Sequence, residues 1–110
     1  MDTCINKHHD EEISLVSFQR HEKVLVIGTN KAIIKFNNVE HFELSSFEFQ
    51  NVIFETNEYS FDSIPPLYLQ EYVWLNNFNE VPDLKLFTID SSVGLCGIVL
   101  FVDYEVTIVI

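Results

Sequence analysis

The chain reads as a mainly β (α+β) protein: an antiparallel sheet or sandwich of about seven to eight short strands, with one short helix near residues 67–78. Three observations predict this class. Runs rich in Val, Ile and Phe recur along the chain, separated by Asn, Gly and Ser punctuation. One of them, "KAIIKF", alternates in the period of a half-buried strand, with Ala32, Ile34 and Phe36 on one face and Lys31, Ile33 and Lys35 on the other. A single window departs from period two: "SIPP" opens a segment in which Leu67, Glu71, Leu75 and Phe78 recur at helical spacing.

After the charged lead "HHDEE", the runs "ISLVSFQ" (Ile13 to Gln19) and "KVLVIG" (Lys23 to Gly28) read as strands joined by a turn at "RHE". "GTNK" supplies Gly28 and Asn30, both tolerant of positive φ, before the alternating strand "KAIIKF". A turn at Asn37 and Asn38 leads into "VEHFELSSFEF". There Phe42 and Leu44 share one parity while Phe47 and Phe49 share the other, so a bulge or bend is expected at Ser45 and Ser46. "NVIFET" (Asn51 to Thr56) is the next strand, with Val52 and Phe54 on one face, and the first half becomes a meander of antiparallel strands.

A polar loop, "NEYSFD", precedes the 67–78 segment. Tyr68, Leu69, Tyr72, Val73 and Trp74 fill the remaining faces of that segment, which also fits a strand; the proline pair favours a helix. "NNFNEVPD" ends it. "LKLFTI" (Leu84 to Ile89), a turn at "DSSVG", "LCGIVLFV" (Leu95 to Val102) and "YEVTIVI" (Tyr104 to Ile110) return to strands. The run Leu95 to Val102 lacks any charge, as expected of a central strand covered on both faces. In the last run Tyr104, Val106, Ile108 and Ile110 alternate with Glu105, Thr107 and Val109, which places the end of the sequence within a sheet.

At 110 residues the chain is one domain, 1–110, with residues 1–8 read as a flexible lead. Hydrophobic residues make up 47% and include ten Phe, which excludes a disordered composition. Seventeen acidic residues against six basic ones give a net charge of −11. Such a field repels phosphate backbones and anionic lipid, so neither nucleic acid nor membrane is expected as a direct partner. The same field attracts a basic protein, although acidity of this size also serves simply to keep a β-rich chain dissolved. Cys4 and Cys96 read as free thiols, and "MDTCINKHHDEE" lacks the apolar stretch of a signal peptide. A cytoplasmic protein, monomer or homodimer, is the expectation.

His8, His9, Asp10, Glu11 and Glu12 are the densest set of ligand-type side chains, and a small metal-binding domain using His8, His9 and Asp10 is one alternative. Neighbours on an extended strand point to opposite faces, so five in a row do not converge; a solvated strand entrance with one hydrogen-bonded His is the preferred reading. Cys96 lies in the most apolar run, Ser91 and Ser92 lack the frame of a nucleophile elbow, and no phosphate-cradling or dinucleotide motif occurs. The expectation is therefore a non-enzyme without a cofactor. Two segments instead carry the chemistry of a protein-binding surface: Glu55, Glu58, Tyr59 and Asp62 in the polar loop, then Glu71, Glu80 and Asp83 around the helix. Tyr72 and Trp74 lie between them and read better as core residues than as part of that surface.

"HHDEEI", "IIKFNNVEHFELSSFEFQNVIFE" and "LFTIDSSVGLCGIVLFVDYEVTI" together resemble the small acidic bacterial immunity proteins of polymorphic toxin and contact-dependent growth-inhibition systems. Several such families open with a His-Asp pair, here His9 and Asp10. They continue through a strand ending in a Phe-Asn-type turn and close with a Ser-Ser-x-Gly turn before terminal strands. The likeness spans His9 onward. It implies a cytoplasmic protein that neutralises a cognate toxin domain, commonly a nuclease, by stoichiometric binding, with His9 and Asp10 pinning the strand entrance. A phage-type acidic inhibitor of a nucleic-acid enzyme, such as an anti-CRISPR or DNA mimic, shares the same charge logic.

Overall fold

A computed structural model describes residues 8–78, 81 and 83–109. In chain order the elements are β1 (Ile13–Gln19), β2 (Val24–Thr29), β3 (Ala32–Asn37), β4 (His41–Ser45), β5 (Val52–Ser60), α1 (Pro66–Glu71), β6 (Lys85–Val93), β7 (Cys96–Phe101) and β8 (Asp103–Ile108). Two four-stranded antiparallel sheets result, ordered β1-β2-β3-β8 and β4-β7-β6-β5. Only β1 to β3 form the expected meander; β4 leaves it to pair with β7.

The inward residues of the two sheets form one core. Leu25, Ile27, Ile34 and Phe36 of the first sheet meet Phe87, Ile89, Val99 and Phe101 of the second. Phe36 stacks on Tyr104 and meets Phe87 and Phe101 edge-on, at 5.1 Å between ring centroids in each case. Phe36→Ala is expected to cost about 3–5 kcal/mol in urea unfolding, because it empties the centre of this aromatic cluster.

The second sheet is covered on its other face as well. Leu86, Ile98 and Leu100 pack beneath Ile64 and Leu75, with Tyr68, Leu69, Tyr72, Trp74 and Phe78 around them. Burial on both sides explains the uncharged run of β7, which lies between β4 and β6. Among the described residues nothing covers the outer face of the first sheet in this way, and Leu15 and Ile33 lie exposed there.

The structure corrects several sequence expectations. The segment near 67–78 is two pieces, α1 and a 3-10 helix at Val73–Phe78, broken where Tyr72 takes φ −116° and ψ 76°. The side chains facing the sheet would spread over more than half the circumference of one continuous α-helix, and the break lets them share a side. Leu75 becomes the buried anchor, while Leu67 of the expected apolar stripe is 68% exposed. The expected polar loop "NEYS" is the second half of β5, paired with β6 from Glu55–Asp90 to Ser60–Lys85. Register shifts around Ile53 rotate the strand, so Ile53 is buried and Phe54 faces solvent instead of sharing a face with Val52. The bend expected at Ser45 and Ser46 is present: β4 stops at Ser45, and Ser46 turns the chain away at φ 66°. "DSSV" belongs to β6, leaving Gly94 (φ 87°) to make the turn into β7.

At the strand entrance His9, Asp10 and Glu12 are exposed as expected, whereas His8 and Glu11 are buried. Residues 1–7 lie outside the described residues, but His8 is buried and its Nδ1 lies 2.9 Å from Glu11 Oε2. Glu11 also accepts from the Thr29 hydroxyl, which in turn accepts from the Lys31 and Ala32 amides and so closes the β2–β3 turn. His9 Nδ1 lies 2.6 Å from the Phe54 carbonyl, and the Asp10 amide donates to Ile53. Glu12 then bridges Val52 in one sheet, and Ile13 pairs with Thr29 in the other. The His-Asp opening thereby ties the two sheets together.

Candidate protein-interaction surface

Strand pairing arranges the outer face of the second sheet in cross-strand rows. His41, Leu100, Leu86 and Tyr59 make one row, and Glu43, Ile98, Thr88 and Asn57 the next. Beyond them Ser45 faces Cys96, and Asp90 faces Glu55. The α1 and 3-10 cover lies over the apolar residues of the first two rows. The polar end stays open, and Tyr68, Tyr72 and Glu71 border it.

Four carboxylates therefore share one neighbourhood: Glu43, Glu55, Glu71 and Asp90. Burial, then Glu55 and Glu71, pushes Asp90 above its ordinary carboxylate range. Burial, followed by Glu71, Cys96, Glu43 and Tyr68, pushes the Tyr72 phenol up to about 12. Tyr68 is raised too, first by burial and then by Asp90, Glu55 and Glu71, with the Thr88 hydroxyl acting the other way. Among the described residues no Lys or Arg pairs with any of the four acids. Glu55 accepts from Asn57 Nδ2, at 2.8 Å, and Glu43 from Trp74 Nε1, at 2.8 Å.

Opposed like charges on adjacent strands cost stability. Because the Asp90 carboxyl is raised in the fold, its ionised form is the disfavoured one; the cost is absent below its ordinary value of 3.8 and grows as pH rises through the raised value. Asp90→Asn is accordingly expected to raise the melting temperature near pH 7, with the two proteins converging near about pH 3. Thermal scans across pH check this; a variant less stable at neutral pH contradicts the repulsion. An arriving guanidinium or ammonium relieves the same strain, which is the chemistry this surface offers a partner.

The sequence-derived set does not stay together. Glu55 and Glu71 join the open acidic end. Glu58 points between the sheets and accepts from the Tyr104 hydroxyl at 3.0 Å, while Tyr59 packs against Tyr68 under the helical cover. Asp62 accepts from Ser60 Oγ in a 3-10 turn. Asp83 lies apart, with Ser60, Leu84, Lys85, Val102 and Asp103 around a shallow depression of about 450 Å³. Glu80 lies outside the described residues. Tyr72 and Trp74 are half-buried members of the helical cover, and the Trp74 ring lies against His41 at 4.2 Å.

Sequence reasoning missed Asp90 and Glu43. Asp90 was assigned to a turn, and Glu43 stood alone between Phe42 and Leu44. One signal was available: residues 1–35 hold five acidic and five basic side chains, whereas residues 36–110 hold twelve acidic and one basic, Lys85. The whole net charge therefore belongs to the part of the chain that builds the second sheet, its cover and β8. His8 and His9 turn to different partners, and among the described residues no three His, Cys, Asp or Glu gather as a metal site. No described helix is long and apolar enough to cross a membrane. Comparison of the chain with protein-family models, curated proteins and solved structures finds no match.

Proposed function

We propose that this chain is an immunity-type inhibitor, a cytoplasmic protein that binds and neutralises a basic toxin domain, most consistently a nuclease, by stoichiometric contact. The observation that carries the reading is the open acidic end of the second sheet, where Glu43, Glu55, Glu71 and Asp90 crowd beside Tyr68 and Tyr72 without a described cationic partner. Nuclease clefts are built to hold phosphates, and carboxylates fixed on a rigid sheet occupy such clefts by the same electrostatics. Tyrosines at the border supply anchor area at low conformational cost.

The His9–Asp10 opening supports the reading differently. It holds the strand entrance through contacts to the β5 backbone. The test is affinity capture from the source cell with elution by salt, followed by titration of the captured protein's nuclease activity. A basic nuclease silenced at one equivalent is the expected result. A captured partner with no such activity, or one inhibited only at large excess, overturns the proposal.

A further inference from the structure

The end of the sandwich beside the open acidic row presents exposed aromatic surface that the acidic contact alone does not use. Phe49 is fully exposed, and Phe47 and Phe54 are more than half exposed. They belong to one structural unit. The 46–51 loop is folded on the Asn51 side chain, whose Oδ1 accepts from the Glu48 and Leu95 amides and whose Nδ2 donates to the Glu48 carbonyl. The loop is also seated against the β6–β7 turn, where a Cβ on Gly94 would strike Asn51 and the Gln50 carbonyl. Phe54 projects from the adjoining end of β5 with its ring edge-on to His9 at 5.7 Å. Val93, 44% exposed and paired with Val52, completes the tip.

The tip is continuous with the acidic row at two points. Ser45, opposite Cys96, is the last residue of β4 before the loop, and Phe54 immediately precedes Glu55. Acids lie around it: Glu48 lies between Phe47 and Phe49, and Asp10 and Glu12 flank β5. Exposed apolar area set among acids suits a partner patch that is apolar at its centre and ringed by Lys or Arg.

The geometry points to Phe47, Phe49 and Phe54 as the anchor of the interface, inserted into an apolar pocket of a basic protein whose cations meet the acidic row. This deepens the inhibitor reading and rests on it for the identity of the partner, but not for the chemistry of the tip.

The experiment uses a random peptide library displayed on phage, selected against the intact chain at physiological salt. Enriched peptides are then synthesised and titrated against the wild type, F47S/F49S and E55Q/E71Q/D90N. The two phenylalanines are exposed and outside any strand, so the serine variant is expected to fold, which its melting curve reports. Enriched peptides are expected to combine an aromatic or branched apolar residue with flanking Arg or Lys. F47S/F49S is expected to bind them at least tenfold more weakly with its salt dependence kept, and the acid variant to lose that salt dependence. No enrichment, enrichment of acidic or wholly polar peptides, or equal binding by F47S/F49S overturns the proposal. The nuclease reading fails separately, when peptides behave as expected but the captured partner carries no nuclease activity.

Discussion

Gly97→Ala is expected to remove about 3 kcal/mol or more of folding stability, a large share of what a domain of this size possesses. Gly97 lies in β7, the interior strand between the two hydrophobic layers, at φ 151°. A Cβ there would collide with the Glu43 carbonyl oxygen and come within 2.9 Å of Leu44 Cα, both backbone atoms of the neighbouring strand. The strand cannot yield without breaking its own pairing to β4. Gly28→Ala is the natural control: the nearest atom its Cβ would meet is Leu15 Cβ, at 3.2 Å, a tight contact that β1 relieves by a small shift, with no backbone atom among the three nearest. Urea unfolding of both variants decides the matter, and equal costs at the two positions contradict the steric argument.

The second large effect is on association. The triple variant E55Q/E71Q/D90N is expected to weaken binding of the captured basic partner by about 100-fold at low salt, which corresponds to about 2.7 kcal/mol. Removing three charges also removes most of the salt dependence, since attraction across this surface is what ions screen. The same substitutions remove the partly buried Asp90 charge together with its repulsion by Glu55 and Glu71, so the variant is expected to melt no lower than the wild type near pH 7. A protein that gains stability while losing its partner separates a binding role from a folding one. Binding measured over a salt series alongside thermal scans provides both readouts. Unchanged affinity contradicts the placement of the interface.

Much of the fold was legible because period and charge agree with burial in β3 and β7. The alternation of Ala32, Ile34 and Phe36 survives as one buried face, and the uncharged run Leu95 to Val102 is the doubly covered strand. The failures have a common physical origin in long-range pairing. Asn57 and Glu58 read as a loop because both are polar. In the fold Asn57 is buried in the same strand as Thr56, and Glu58 finds a Tyr104 hydroxyl 46 residues away. His8 looked solvated because nothing local showed that Glu11, fixed by Thr29, would hold it.

The candidate site was legible in kind but not in membership. Acidic and aromatic residues did single out Glu55 and Glu71, which the fold brings near Asp90. Strand register decided the rest: it turned Glu58 inward, moved Asp83 to another end and brought Asp90 opposite Glu55. A polar residue's parity on an irregular strand such as β5 depends on bulges, and no composition or spacing in "NVIFETNEYS" announces the register shifts around Ile53.

The most direct test of where this protein binds is carbodiimide labelling of its carboxylates, read by mass spectrometry with and without the captured partner. Glu43, Glu55, Glu71 and Asp90 are expected to lose labelling in the complex. Glu22, in the β1–β2 turn, and Asp103 and Glu105, on β8 of the opposite sheet, are expected to label as before. Protection of Asp103 and Glu105, with the second-sheet acids still reactive, would contradict the account.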